Sequence, residues 1–131
     1  MTTVPLDQLP GRPCPIAASL ELVGERWALL VVREIAMGST RFSDIVRGTG
    51  APRDRIAARL KTLEAAGVVR CEAGTGARHT YRLSTSGAEL LPVLNALLAW
   101  GDRHAVAADD PKRATRYRKL STPETTIEEC E

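Results

Sequence analysis

Arg53, Arg55, Arg59 and Lys61 fall within one short stretch of the chain. Four cations at that density suit the neutralisation of phosphate. They are not isolated. Residues 41–82 hold nine basic residues against four acidic ones, whereas residues 1–40 are one charge negative and residues 83–110 three negative. The chain total of +2 hides this concentration. A localised basic surplus is the electrostatic footprint of a surface that meets a polyanion. The competing explanation is a solvated helix face laced by ion pairs, which needs an acid three or four residues away. Lys61 has Glu64 at that distance, but Arg55 and Arg59 have none. These two arginines lie four apart, a mildly repulsive pair that an anion relieves.

The cations need a scaffold, and the local pattern supplies one. Arg53 to Ala66 reads as a helix in which Ile56, Leu60 and Leu63 recur at four and three residues and face a core. Asp54, Arg55, Ala58, Lys61 and Thr62 lie opposite, with Arg59 at the margin. Pro52 suits the start of this helix, and Gly67 suits the position just past its end. Ahead of it, Arg41 to about Arg47 reads as a shorter helix with Phe42, Ile45 and Val46 inward and Ser39 or Thr40 as its cap. Residues 48–52, Gly-Thr-Gly-Ala-Pro, form the turn between the two. Behind the longer helix, residues 68–72 and 80–83 have strand character around a glycine-containing tip.

Helix, turn, helix and hairpin in that order predict a winged helix-turn-helix, a mostly α fold with a small β-hairpin (α+β). Its second helix enters the major groove of double-stranded DNA. Arg53, Arg55, Arg59, Lys61 and Thr62 are then the expected contacts, with small Ala58 allowing close approach. Arg41 and Ser43 are placed to hold phosphates at the start of the first helix. Arg78 and His79 at the wing tip are placed for the minor groove or adjacent phosphates.

The flanks predict how the reader is held. Residues 1–13, with three prolines and Gly11, are expected to be an extended arm. Cys14-Pro15 opens a helix with Ile16, Leu20 and Val23 on one face, as far as Gly24. A second helix, roughly Trp27 to Met37, has Leu29, Leu30, Val32 and Ile35 apolar and Arg33 and Glu34 outside. After the hairpin, Ser84, Thr85 and Ser86 offer caps for the next helix, and Ser86 with Glu89 fits a capping box. It introduces one long helix from about Gly87 to Ala107, bent early by Pro92. That helix is apolar nearly all round at Leu90, Leu91, Val93, Leu94, Leu97, Leu98 and Trp100. So wide a stripe suits packing on its own core and on a second chain. Leu20, Leu90, Leu94, Leu97, Leu98 and Trp100 are the expected dimerisation residues. Residues 14–108 are thus read as the domain with its dimerisation helices, and residues 109–131 as a charged, flexible tail.

Other function classes find little support. Composition is that of an ordinary globular domain, 44% hydrophobic and 26% charged. The longest apolar run, Trp27 to Val32, is too short to span a bilayer. The N-terminal residues show no charged segment leading into an apolar one, so the cytoplasm is the expected compartment. Cys14, Cys71 and Cys130 are widely spaced and form no Cys/His cluster, so neither a metal nor a cofactor is expected. His79 and His104 lack a Ser, Cys or Asp partner at recognisable spacing, which argues against an enzyme. A winged-helix module that binds protein instead of DNA remains the alternative. Cys14 lies beside a helix N-terminus with Arg12 close, the setting of a reactive thiol, and a buried structural thiol is the competing reading.

The chain resembles the HxlR family of bacterial winged-helix transcription regulators. The resemblance is carried by Cys14-Pro15-Ile16, Gly24-Glu25-Arg26-Trp27, Leu30-x-x-Arg33-Glu34-Ile35, and Gly38 followed by Arg41-Phe42-Ser43-Asp44-Ile45. It continues through Arg59-Leu60-Lys61-x-Leu63-Glu64-x-x-Gly67-Val68-Val69, Tyr81-x-Leu83, Gly87-x-x-Leu90, Pro92-Val93-Leu94 and Trp100-Gly101. The colinear match covers about residues 14–104. It implies a homodimer joined through the N- and C-terminal helices on a roughly palindromic operator. It also implies an input, either an oxidant or electrophile at Cys14 or a small effector in the dimer cleft. The chain departs from the family in two places. The wing lacks the Pro-Pro pair common before the second strand, and Ala57-Ala58 replaces polar residues on the reading helix. Specificity is then expected from Arg53, Arg55 and Arg59, methyl contacts and DNA shape.

Overall fold

A computed structural model describes residues 14–73 and 79–107, so the predicted N-terminal arm, most of the wing tip with Arg78, and the predicted tail lie outside the described residues. Among the described residues, six helices and two strands follow one another as α1 (Pro15–Val23), α2 (Ala28–Ala36), α3 (Phe42–Thr49), α4 (Arg53–Ala65), β1 (Val69–Ala73), β2 (His79–Leu83), α5 (Thr85–Ala88) and α6 (Leu91–His104). The predicted α+β winged helix-turn-helix is the observed fold. None of the described helices is long and apolar enough to cross a membrane.

The core forms where the apolar spacings of separate elements converge. Val31, Val32 and Ile35 of α2 meet Ile45 of α3, Ile56, Leu60 and Leu63 of α4, Val69 and Leu83 of the hairpin, and Leu91 and Leu94 of α6. Helix α2 is the hub, packed against α3, α4, β2 and α6. Each of its fully buried aliphatic side chains contributes about 1.5–3 kcal/mol relative to exposure.

That central position explains one correction. Glu34, expected outside, is fully buried. With neighbours on several sides, α2 has little surface left, and this carboxylate falls on the side facing α3. It survives burial because it is satisfied. Arg33 Nη2 lies 2.8 Å from Glu34 Oε2, Arg33 Nε donates to the same oxygen at 3.0 Å, and the Ser39 hydroxyl reaches Oε1 at 3.5 Å. Arg33 Nη2 also donates to the Gly48 carbonyl at 3.1 Å, tying α2 to the end of α3.

The turn and the hairpin set the pose of α4. Helix α3 ends at Gly50, whose N–H donates to the Val46 carbonyl at 2.9 Å. Pro52 then occupies the N-cap of α4 in extended geometry. At the other end, Gly67 adopts φ +78, a left-handed conformation open to glycine. Gly67 N–H bonds to the Glu64 carbonyl and Val68 N–H to the Leu63 carbonyl. Together they make a Schellman termination that turns the chain straight into β1. Strands β1 and β2 pair antiparallel with Val69 opposite Leu83 and Ala73 opposite His79. Tyr81 N–H donates to the Thr40 carbonyl at 2.8 Å, so the hairpin is also tied to the segment entering α3.

Three further expectations are corrected. Neither Ser39 nor Thr40 caps α3. Arg41 holds the N-cap in extended geometry without a side-chain bond. The cap ahead of α5 is Ser84, whose hydroxyl accepts from Gly87 N–H at 3.2 Å, while Ser86 donates to the Gly67 carbonyl instead. The single terminal helix is also two. Pro92 has no N–H to return to the Ala88 carbonyl, so α5 stops and α6 starts afresh with Pro92 in its first turn.

Candidate nucleic-acid interface

Helix α4 buries Ile56, Leu60 and Leu63 and leaves Arg53, Asp54, Arg55, Ala57 and Lys61 exposed, with Ala58, Arg59 and Thr62 partly covered. The outward face is therefore broad and basic, with a small residue near its middle. Arg53 is steadied by its guanidinium lying 4.9 Å over the Phe42 ring. The same contact sets the first turn of α4 against the first turn of α3, where Arg41 and Ser43 are both exposed. Thr62 donates its hydroxyl proton to the Ala58 carbonyl at 3.0 Å, leaving its methyl group and lone pairs for an outside partner.

Arg59 is placed differently from Arg55. Its side chain retains 24% exposure, and its Nε lies 3.8 Å from Glu25 Oε2. Glu25 belongs to the connection between α1 and α2, and its other oxygen accepts from Trp27 N–H at 2.6 Å. Sequence reasoning missed Glu25 because it sought acids at helical spacing only, and this one arrives from another part of the fold. The signal available was an acid two residues before the N-cap Trp27 of α2. Arg26, next to it, lies 4.5 Å over the Trp27 ring.

Some of the basic residues around α4 are already paired within the described residues. His79 is exposed where β2 begins. Arg82 pairs with Glu72 at 2.9 Å across the strands, and on α3 Arg47 lies 3.3 Å from Asp44. Tyr81 stands opposite Cys71 in the ladder. Burial raises the Tyr81 phenol above its ordinary 10.0, and the Cys71 sulfur, by electrostatic repulsion and by hydrogen bonding, and the Glu64 charge push the same way.

Away from α4, apolar side chains stand open. Ile16 and Leu20 on α1 are 71% and 60% exposed, and Val93, Leu97 and Trp100 form an exposed stripe at four and three residues on α6, with Leu98 beside it. Leu90 and Leu94, also expected at a dimer contact, pack into the protomer's own core. Ile16 and Val93 join the exposed set without having been singled out among the dimerisation residues. Cys14 is partly buried at the N-cap of α1. No group of three or more His, Cys, Asp or Glu suited to a metal ion occurs among the described residues.

Fold and basic reading face together define a winged helix-turn-helix protein. Residues 22–109 match the model of the HxlR-like helix-turn-helix family, and the chain belongs to that family. It is 35% identical over 104 residues to Rv3095 of Mycobacterium tuberculosis (strain ATCC 25618 / H37Rv), an uncharacterized HTH-type transcriptional regulator, a match covering 78% of this chain and 66% of the relative. The chain thus spans just under two thirds of that relative's length. Among solved structures, PA1607 superposes with TM-score 0.71 at 28% identity, over 87% of each chain. The reduced form of the transcriptional regulator YodB from B. subtilis superposes with TM-score 0.62 at 27% identity, over 74% of this chain and 99% of YodB.

Proposed function

We propose that the chain is a cytoplasmic transcriptional regulator that binds a roughly palindromic duplex operator as a homodimer. The observation that carries this reading is the exposed basic face of α4, held on a fully buried apolar stripe and flanked by Arg41 and Ser43. In each copy α4 enters the major groove, with Arg53, Arg55, Lys61 and Thr62 outward and Ala58 against the base edges. Arg59 works from the margin of the same face. His79, with Arg78 beside it in sequence, brings the wing to the backbone or minor groove. Residues 14–108 form the working unit.

The exposed apolar residues of α1 and α6 support pairing. Ile16, Leu20, Val93, Leu97, Leu98 and Trp100 are exposed apolar side chains that a second copy would cover. Two reading helices then address half-sites about 34 Å apart, one turn of DNA. YodB, solved in reduced and in diamide-treated forms, supports an input through thiols. Here Cys14, at the N-cap of the helix carrying Ile16 and Leu20, is the residue through which an oxidant or electrophile would act. A small effector in the dimer cleft is the other input.

Salt titration of binding to duplex DNA tests the central reading. Log K should fall linearly with log salt, with a slope of about 0.9 for each phosphate neutralised. A flat, weak response would overturn it in favour of a protein-binding module.

A further inference from the structure

Glu25 is placed to do two things at once. Oε1 is committed to Trp27 N–H at 2.6 Å, where α2 begins. That bond fixes the carboxylate and leaves Oε2 directed at Arg59 Nε, 3.8 Å away. Arg59 Nε is itself sealed from solvent and makes no hydrogen bond. A buried guanidinium N–H without an acceptor is costly, and the one carboxylate oxygen beside it stands just outside bonding distance. The exposed remainder of the Arg59 side chain lies elsewhere than at Nε.

We infer that Glu25 is the positioning residue for Arg59 in DNA reading, which rests on the proposed function above. A carboxylate at Nε addresses the guanidinium from its stem side. The edge made by the two terminal amino groups is left available for a bidentate contact, such as guanine O6 and N7 or a phosphate. Closing the gap at Oε2 as that contact forms would satisfy Nε and fix the guanidinium plane together. Glu25 therefore serves orientation, not raw attraction. A negative charge beside a DNA-binding face weakens nonspecific binding, a cost set here against its hold on the start of α2 and the aim it gives Arg59. Because Glu25 sits between α1 and α2, the aim of Arg59 also follows the position of α1.

The test uses the full chain, a duplex selected by the wild-type protein from a randomised pool, and a random duplex of equal length. Glu25→Gln can keep the Trp27 bond through its carbonyl only by turning its NH2 toward Arg59, which removes the acceptor while sparing the helix start. Affinity for the selected duplex should fall about tenfold. Affinity for the random duplex should stay within about twofold, and Tm should be unchanged. Arg59→Lys keeps the charge but loses the fork, so it should show the same selective loss. Adding Glu25→Gln to it should then change nothing further. The inference is overturned by unchanged or stronger binding of Glu25→Gln to the selected duplex, or by losses that multiply in the double variant. Equal losses on both duplexes with a lowered Tm would reduce Glu25 to a helix cap and overturn it too. Wild-type protein that selects no duplex and shows no salt dependence would remove the DNA-reading function itself, and the role of Glu25 with it.

Discussion

The Glu34 carboxylate lies against Gly48, so close that a Cβ at position 48 would overlap its Oε1 and Cδ. A buried acid on the central helix and a glycine inside the first helix of the reading motif thus occupy each other's space.

That relationship reverses an ordinary rule. Gly→Ala inside a helix usually stabilises by about 0.5–1 kcal/mol. Gly48→Ala should instead destabilise by about 1–3 kcal/mol, because the overlapped carboxylate is held by Arg33 and cannot swing away. In a Glu34→Ala background the same change should become neutral or stabilising. Urea unfolding of the four proteins gives the answer, and stabilisation by Gly48→Ala alone would contradict the packing described.

Arg55 and Lys61 are exposed on α4 with no ion pair among the described residues. Replacing Lys61 by alanine should weaken binding evenly across sequences and reduce the salt slope by about 0.9 for each phosphate that is no longer neutralised, whereas replacing Arg55 should also relax the preference for one sequence. Fluorescence anisotropy at several salt concentrations measures both. An unchanged slope would take that residue off the phosphate backbone.

Trp100→Glu and Leu97→Glu should convert a dimer to monomers without unfolding the protomer, since both side chains are at least half exposed. An aromatic anchor at an interface is worth about 2 kcal/mol or more, a shift that sedimentation equilibrium resolves. Leu94→Ala should behave differently, lowering protomer stability by about 2–5 kcal/mol because Leu94 is buried.

Tyr81 holds its proton more tightly in the folded chain than in the unfolded one. Its contribution is therefore fully present below pH 10.0 and is lost as pH rises through the higher folded value. Stability should decline in that alkaline window, and phenolate absorbance should show one late transition that Tyr81→Phe removes. Cys71→Ala should bring that transition earlier, because Cys71 helps hold the phenol neutral.

If Cys14 is the sensing thiol, Cys14→Ser should keep its DNA affinity when treated with diamide while the wild type loses it. A gel shift in which both proteins respond alike would remove Cys14 from that role.

Periodicity made much of this molecule legible. The apolar spacing of Ile56, Leu60 and Leu63, the glycine after α4 and the strand runs around the wing were enough to order the reading motif. The motifs from Cys14 to Trp100 were enough to identify the family. What escaped was set by contacts between distant residues, which leave no period. Glu34 reads as a surface residue until α2 is enclosed by its neighbours. Arg59 reads as unpaired until the connection after α1 folds back beside it. Ser84 and Ser86 are equally good caps on paper, and the Gly67 carbonyl, which engages Ser86, separates them.

Ser84 has one more consequence. Its single hydroxyl contacts the carbonyls of Gly67 and Val68, where α4 has just ended, and also caps α5. The far end of the reading helix is therefore bolted to the segment that leads into α6. A displacement of α5, and of α6 behind it, would therefore bear on the end of α4 through these contacts. In a pair of such chains, the pitch of each reading helix would be a mechanical readout of how the two C-terminal helices meet.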